Sequence, residues 1–257
     1  MDQQPTFNII QNLRFLGTAV LLLVACNAYA SNHFPLPTNH HSIYSVTKYG
    51  AEVGQIDNHF TYQGQQINYT SKAKTTGMAA FFLKELVTET SQLYWPGDNT
   101  LETPQQTSYT LRHKKKKKKD QEISFSWSTA KLVDITSSYK NKTATLTSDK
   151  NTWSTQLLPI VMSSYLLRNN KITGDTIQVA DKNRLINYDF TLEGNESIKF
   201  NGDMYECLKF KISKRNSRRF TYAWLSTDHY YLPLIMDQYK DDELSASMML
   251  KEFKLLK

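Results

Sequence analysis

Cysteine, glycine and long apolar runs are all scarce in this 257-residue chain. Two cysteines, Cys26 and Cys207, are too few for the disulfide framework that holds small secreted domains together. Only nine glycines stand against 15 tyrosines and 12 phenylalanines, and this aromatic enrichment favours half-buried β-strands. The uncharged run 15–25 is shorter than the roughly 20 residues that a membrane-spanning helix needs. We therefore expect a β-rich protein whose mature chain has no transmembrane span.

Signatures of catalysis and of cofactor binding are also absent from the sequence. It contains no Gly-x-Ser-x-Gly nucleophile elbow, no phosphate-binding loop and no dinucleotide fingerprint. Ser226, Asp228 and His229 lie close together in one turn. A working catalytic triad is assembled from segments that are distant in sequence, so this grouping does not indicate one. No histidine has metal-ligand spacing to another histidine or to cysteine; the six are His33, His40, His41, His59, His113 and His229. We predict a protein that is not an enzyme and has no metal or cofactor.

The N-terminal thirty residues have the pattern of an export signal. Arg14 precedes the apolar run 15–25, and the small-x-small triplet Ala28-Tyr29-Ala30 follows it. Cleavage after Ala30 would release a mature chain, 31–257, into the periplasm. Residues 23–26, Leu-Val-Ala-Cys, also fit a lipobox, in which Cys26 would be lipidated and anchor the protein to a membrane. Either processing route leaves Cys207 as a single cysteine, which we expect to be a buried, small apolar side chain.

Positive charge is concentrated in two clusters within a chain of net charge +7. Six lysines follow one another at 114–119, between two alternating segments, which predicts an exposed hairpin tip. A second cluster covers 214–219. One interpretation is contact with an anionic surface such as lipid headgroups or lipopolysaccharide phosphates. The other interpretation is a solvated hairpin tip that was lengthened by genetic drift in a lysine-rich coding tract. Nucleic acid is a poor partner, because the protein is exported and lacks a recognition motif.

Short segments in which apolar and polar residues alternate fill the rest of the chain, with one exception. They predict a mainly β fold, a curved antiparallel sheet or half-barrel in one domain, 31–257. The exception, 157–168, reads as a helix that tolerates Pro159 in its first turn. The predicted strands are 42–49, 55–62, 67–73, 86–94, 107–112, 122–127, 141–146, 176–180, 185–192, 196–200, 206–213, 220–225, 234–240 and 247–255.

The helix has an apolar face that either plugs the concave side of the sheet or lines a cavity. A second apolar segment, 77–83, reads as a short helix or bend that would gate or line the same cavity. Aromatic and methionine side chains suit an adaptable apolar pocket. The residues that we predict to line such a cavity are Phe81, Phe82, Val161, Met162, Tyr165 and Trp224.

The order of several short motifs resembles that of a known family. These motifs are Gly-Asp-Thr at 174–176, Tyr-Asp-Phe at 188–190, Ala-Trp-Leu-Ser at 223–226 and Tyr-Tyr-Leu-Pro-Leu at 230–234. Together with the opening segments 44–54 and 71–77, they resemble exported bacterial proteins of the DUF3108 family, with the lysine run as a departure. The resemblance implies a periplasmic, β-rich protein without an assigned reaction.

Two functional hypotheses follow for such a protein. In the first, it binds or carries a lipid, an acyl chain or another apolar ligand in the periplasm, including a lipidated partner. In the second, it is an envelope assembly or protein-interaction scaffold with a filled core. A carrier needs a continuous apolar cavity, whereas a scaffold does not, so the volume of the interior separates the two hypotheses.

Overall fold

Strands dominate the structure, as the alternating sequence predicts. The computed structural model describes residues 36–77, 80, 85–95, 104–169 and 176–256, all within one compact unit. The strands are β1 (His40–Lys48), β2 (Ala51–Gln63), β3 (Gln66–Thr75), β4 (Leu86–Tyr94), β5 (Gln105–His113), β6 (Gln121–Trp127), β7 (Val133–Tyr139), β8 (Lys142–Ser148), β9 (Thr152–Ser154), β10 (Thr176–Asp181), β11 (Arg184–Phe200), β12 (Asp203–Lys214), β13 (Arg219–Ser226), β14 (Leu232–Lys240) and β15 (Glu243–Leu255).

One sheet contains all fifteen strands, in the order β8-β7-β6-β5-β4-β3-β2-β1-β15-β14-β13-β12-β11-β10-β9. Two antiparallel meanders, β1–β8 and β10–β15, are joined where β1 pairs antiparallel with β15, while β9 pairs parallel with β10. The sheet curves until β7 and β8 contact β10 and β11. It is therefore nearly closed and barrel-like, which confirms the predicted curved, mainly β fold.

Three details of the strands differ from the predictions. The predicted strands 185–192 and 196–200 are one strand, β11, because Gly194, at φ +147°, forms a bulge rather than a turn. Apolar–polar alternation does not predict strand β7, because the last of its buried positions is occupied by a polar residue, Ser137. The three-residue strand β9 is too short for alternation to show.

Helix α1 (Leu158–Asn169) packs inside the curve of the sheet. Its residues Val161, Met162 and Leu166 are buried in a cluster that also contains Phe60 of β2 and Phe210 of β12. Because β2 and β12 are far apart in the strand order, the cluster that contains these helix residues joins two distant parts of the curved sheet. This confirms the predicted helix against the sheet. Among the described residues, no helix is long and apolar enough to cross a membrane.

Candidate functional site

The interior beside α1 is nearly full. A cavity of about 10 Å³ lies there, lined mainly by apolar side chains that include Phe60, Trp153 and Val161. A volume of roughly 10–15 Å³ holds one water molecule, whereas pockets for small ligands occupy about 300–1,000 Å³. The described interior at this position therefore has room for a water molecule rather than for an acyl chain.

Three of the six predicted cavity residues lie together beside this cavity. Val161 lines it, Met162 is buried in the same cluster, and Tyr165 packs against that cluster from a half-buried position. Phe81 and Phe82 lie outside the described residues, as do Cys26 and the whole of the predicted signal, 1–30.

The Trp224 side chain lies on the face of β13 that is directed away from α1. Its neighbours Ala223 and Leu225 belong to the cluster around α1, and successive residues of a strand point to opposite faces. Trp224 belongs instead to a second cluster, where its indole Nε1 donates a hydrogen bond to Glu196 Oε2 over 2.7 Å. The ammonium of Lys209 lies 4.9 Å from the indole ring. The structure thus places Trp224 in a cation–aromatic cluster away from α1.

A buried polar network, which the sequence pattern does not predict, occupies part of the interior. The Gln106 amide donates to the hydroxyls of Ser91 and Ser154, over 3.0 Å in each case, and accepts from the Ser154 backbone N–H over 2.6 Å. Ser91 in turn donates to Gln156 Oε1 over 2.7 Å. Since these groups satisfy one another, they form a stable polar part of the core and not an open site.

Cys207 and the turn that contains Ser226 and His229 are packed into the folded structure. Cys207 is buried, as predicted, and burial raises the pKa of its thiol to about 12. The hydroxyl of Ser226 and Nδ1 of His229 are 3.0 Å apart within one turn. Burial lowers the pKa of His229, whose ring packs edge-on against Phe200 and Phe253. His229 is thus part of an aromatic cluster.

Topology brings the two basic clusters to the same end of the sheet. In an antiparallel meander, every second turn lies at the same end of the sheet. Because β1 also runs antiparallel to β15, this alternation of ends continues from one meander to the other. The turns after β5, β7, β10 and β12 therefore share one end, which we call the basic end. The cationic residues in these four turns and at the strand ends beside them are Lys114–Lys119, Lys140, Lys142, Lys182, Arg184, Lys214, Arg215, Arg218 and Arg219, all exposed except the half-buried Lys214.

Tight turns hold several of these cations at the surface. Lys140 and Asn141 have φ of 52° and 60°, and Lys182 and Asn183 have φ of 48° and 64°. Two consecutive residues with positive φ form the type I′ turn that suits a two-residue hairpin. The lysine run is an exposed hairpin tip, as predicted, and contains one turn of 3-10 helix, Lys117–Lys119.

The neighbouring turns of the basic end are in contact. The Asn183 amide donates to the Lys142 carbonyl over 3.0 Å, which joins the β10–β11 turn to the β7–β8 turn. A polar groove of about 300 Å³ lies between Lys117 and Lys118 on one side and Lys140 on the other. Ion pairs such as Lys182–Asp181, at 3.4 Å, and Arg218–Asp241, at 3.1 Å, neutralise part of the charge. Cations still outnumber acids, so this end has a positive potential.

Comparison with known proteins assigns the chain to a family. The sequence pattern of the DUF3108 family, described as a protein of unknown function, matches residues 43–251. The chain belongs to the DUF3108 family. The match confirms the resemblance seen in the short motifs, and it spans both basic clusters. Among curated proteins, no sequence matches significantly.

Two solved structures have a distant likeness to this member of the family. One is a candidate lipoprotein from Parabacteroides distasonis, with 10% identity, 86% of this chain and 97% of that chain covered, and a TM-score of 0.35. The other is a candidate exported protein with a YmcC-like fold from Bacteroides fragilis, with 8% identity, coverage of 86% and 98%, and a TM-score of 0.38.

Proposed function

We propose that the protein is an exported, non-enzymatic envelope protein that binds an anionic membrane surface through its basic end. The observation that carries this proposal is the gathering of both basic clusters on one end of the sheet. The export pattern of residues 1–30 supports a location in the periplasm, with either a free start at Ser31 or a lipid on Cys26.

The distribution of cations over several turns of the basic end suits a partner with many anionic groups. Several separate turns present cations side by side, and each Lys or Arg close to an anionic membrane contributes about 1 kcal/mol. The β1–β2 and β14–β15 turns lie at the same end. They add Tyr49, which is 85% exposed, and the exposed Leu244, together with the exposed acidic residues Asp241, Asp242 and Glu243. Tyrosine beside lysine and arginine is typical of residues that lie at a membrane–water interface.

The small volume of the cavity beside α1 supports the second of the two functional hypotheses, a protein with a filled core. A carrier needs volume, and the cavity beside α1 measures about 10 Å³. This supports a protein that acts through its outer surface. The carrier hypothesis is tested by native and denaturing mass spectrometry of protein purified from the envelope: a bare polypeptide agrees with a filled interior, and a released lipid contradicts it. The same mass distinguishes a start at Ser31 from a diacylated Cys26.

Vesicle binding tests the proposed surface. The purified protein is sedimented with phosphatidylglycerol-containing vesicles and with neutral phosphatidylcholine vesicles. We expect binding to the anionic vesicles only, decreasing as salt is raised. The double variant Lys117→Gln/Lys118→Gln should bind at least about tenfold more weakly, given about 1 kcal/mol for each lysine.

A matched pair of lysines at the opposite end provides the control. Lys131 and Lys150 are exposed and lie in the turns after β6 and β8. The variant Lys131→Gln/Lys150→Gln removes the same net charge and should bind like the wild type. Equal weakening of the two double variants would contradict a localised surface, and equal binding to neutral vesicles would contradict the role of charge. Binding to an acidic protein in place of vesicles would point to a protein partner.

A further inference from the structure

Two histidines of the first hairpin face each other on the outer side of the sheet. The β1–β2 ladder pairs His41 with His59 and Ile43 with Asp57. His40, the residue before His41, points inward, where its ring stacks on Phe60 with 5.4 Å between centroids. Because neighbouring residues in a strand point to opposite faces, His41, Asp57 and His59 lie together on the outer face.

The side chains of these three residues converge on one point. Nε2 of His41 is 3.1 Å from Asp57 Oδ1, and Nε2 of His59 is 3.0 Å from the same oxygen. The two imidazole rings are stacked, with 4.3 Å between their centroids. Each residue offers one ligand atom, and all three atoms lie within 4.8 Å of one another.

These distances fit a small divalent cation. Zinc binds imidazole nitrogen and carboxylate oxygen at about 2.0–2.2 Å, so neighbouring ligands of a tetrahedral site lie about 3.3 Å apart. The two nitrogen–oxygen distances in the structure are already close to that value. Small side-chain rotations would therefore admit the ion without a change in the backbone. Two imidazoles with one carboxylate are also a donor set typical of zinc sites with an open position.

We propose that His41, Asp57 and His59 bind a zinc ion, with the fourth coordination position open to water or to a ligand from solution. The carboxylate of Glu252, on the adjacent strand β15 opposite Ile43, lies on the side away from β2 and forms an ion pair with Lys254. The ion would link β1 to β2. Strand β1 also pairs with β15 and so connects the two meanders, which means that the ion would stabilise the junction of the whole sheet.

This site is independent of the basic end and of the proposed membrane binding. The lysines of the proposed membrane-binding surface lie on turns, whereas the three ligands lie within β1 and β2. Failure of one proposal therefore leaves the other standing. The variant Lys117→Gln/Lys118→Gln should bind zinc like the wild type.

Titration calorimetry with ZnCl₂ tests the site on the full protein prepared without a polyhistidine tag. We expect one zinc ion per chain in the wild type and at least a tenfold loss of affinity in His59→Gln and in Asp57→Asn. The control is His113→Gln. His113 also lies beside a carboxylate, Glu85 Oε1 at 3.3 Å, but this pair is not part of the cluster. The zinc affinity of the His113→Gln variant should equal that of the wild type.

A second measurement separates loss of the site from loss of the fold. His59 has a side chain that is 48% exposed, so its replacement should leave the circular dichroism spectrum unchanged. Zinc should raise the melting temperature of the wild type and of His113→Gln, but not that of His59→Gln. The proposal is overturned if a folded His59→Gln and a folded Asp57→Asn bind zinc as tightly as the wild type, or if the wild type does not bind it.

Discussion

The side-chain amide of Asn183 donates a hydrogen bond to the carbonyl of Lys142, over 3.0 Å, where the curved sheet returns on itself. The two residues are 41 positions apart in sequence and belong to different meanders. Their contact joins two type I′ turns of the basic end, so it fixes the spacing of Lys140, Lys142 and Lys182. Closure of the sheet and arrangement of the cations are thus coupled at this point.

Replacement of Asn183 by glycine tests this coupling. Glycine tolerates the φ of 64° that Asn183 adopts, so Asn183→Gly removes the hydrogen bond while keeping the turn. We expect a loss of about 1 kcal/mol in the free energy of unfolding, measured by urea denaturation. The control Asn141→Gly has the same change at a similar φ, 60°, in the facing turn. An equal loss in both variants would show that the turn and not the hydrogen bond is responsible.

Glu89 predicts a dependence of stability on pH. Burial raises the pKa of its carboxyl group above the ordinary value, and its Oε2 accepts a hydrogen bond from the Tyr109 hydroxyl over 2.7 Å. A raised pKa means that the folded state prefers the protonated acid. The stabilising contribution is therefore complete below the ordinary pKa of 4.5 and is lost as the pH rises through the folded value.

Glu89→Gln replaces the acid by a neutral group of the same shape. We expect the variant to be close to the wild type in stability at pH 4 and more stable than it at pH 8, in melting temperatures measured across that range. Glu122→Gln, at an exposed position of β6, is the control for removal of a carboxylate. A difference between Glu89→Gln and the wild type that does not change with pH would contradict this account.

Leu166 tests how tightly the helix fills the sheet. Its side chain is fully buried in the cluster around α1, so Leu166→Ala should cost about 2–5 kcal/mol in the free energy of unfolding. Leu192→Ala, at an exposed site of β11, should change it by less than about 1 kcal/mol. Chemical denaturation monitored by tryptophan fluorescence measures both. A small loss at Leu166 would indicate a loosely packed interior, as a carrier requires.

Cys207 should be unreactive in the folded protein. A thiol whose pKa is raised to about 12 by burial has almost no thiolate at pH 7.5, and the thiolate is the nucleophile. In a Cys26→Ser background, labelling by Ellman's reagent should be slow in buffer and complete within minutes in guanidinium chloride. Rapid labelling of the folded protein would show that the strand containing Cys207 opens readily.

Local patterns in the sequence predict most of the secondary structure. Alternation locates most of the strands, because a half-buried strand needs one apolar and one polar face. The lysine run can only be an exposed tip, since six adjacent like charges cannot be buried. Alternation fails at β7, where buried Ser137 replaces an apolar residue, and it cannot orient Trp224, because its neighbours Ala223 and Leu225 are apolar as well.

The sequence by itself determined that the chain is β-rich, that one helix is apolar along one face, and that two segments carry dense positive charge. Only the tertiary structure decided which of these parts meet. The β1–β2 register shifts between Val46 and Thr47, and without that shift His41 would lie opposite Asn58. The cause is physical: side chains alternate with a period of two, so a shift of one residue moves a whole strand's side chains to the other face. Strand order, which gathers the basic turns at one end, likewise depends on contacts between residues far apart in the chain.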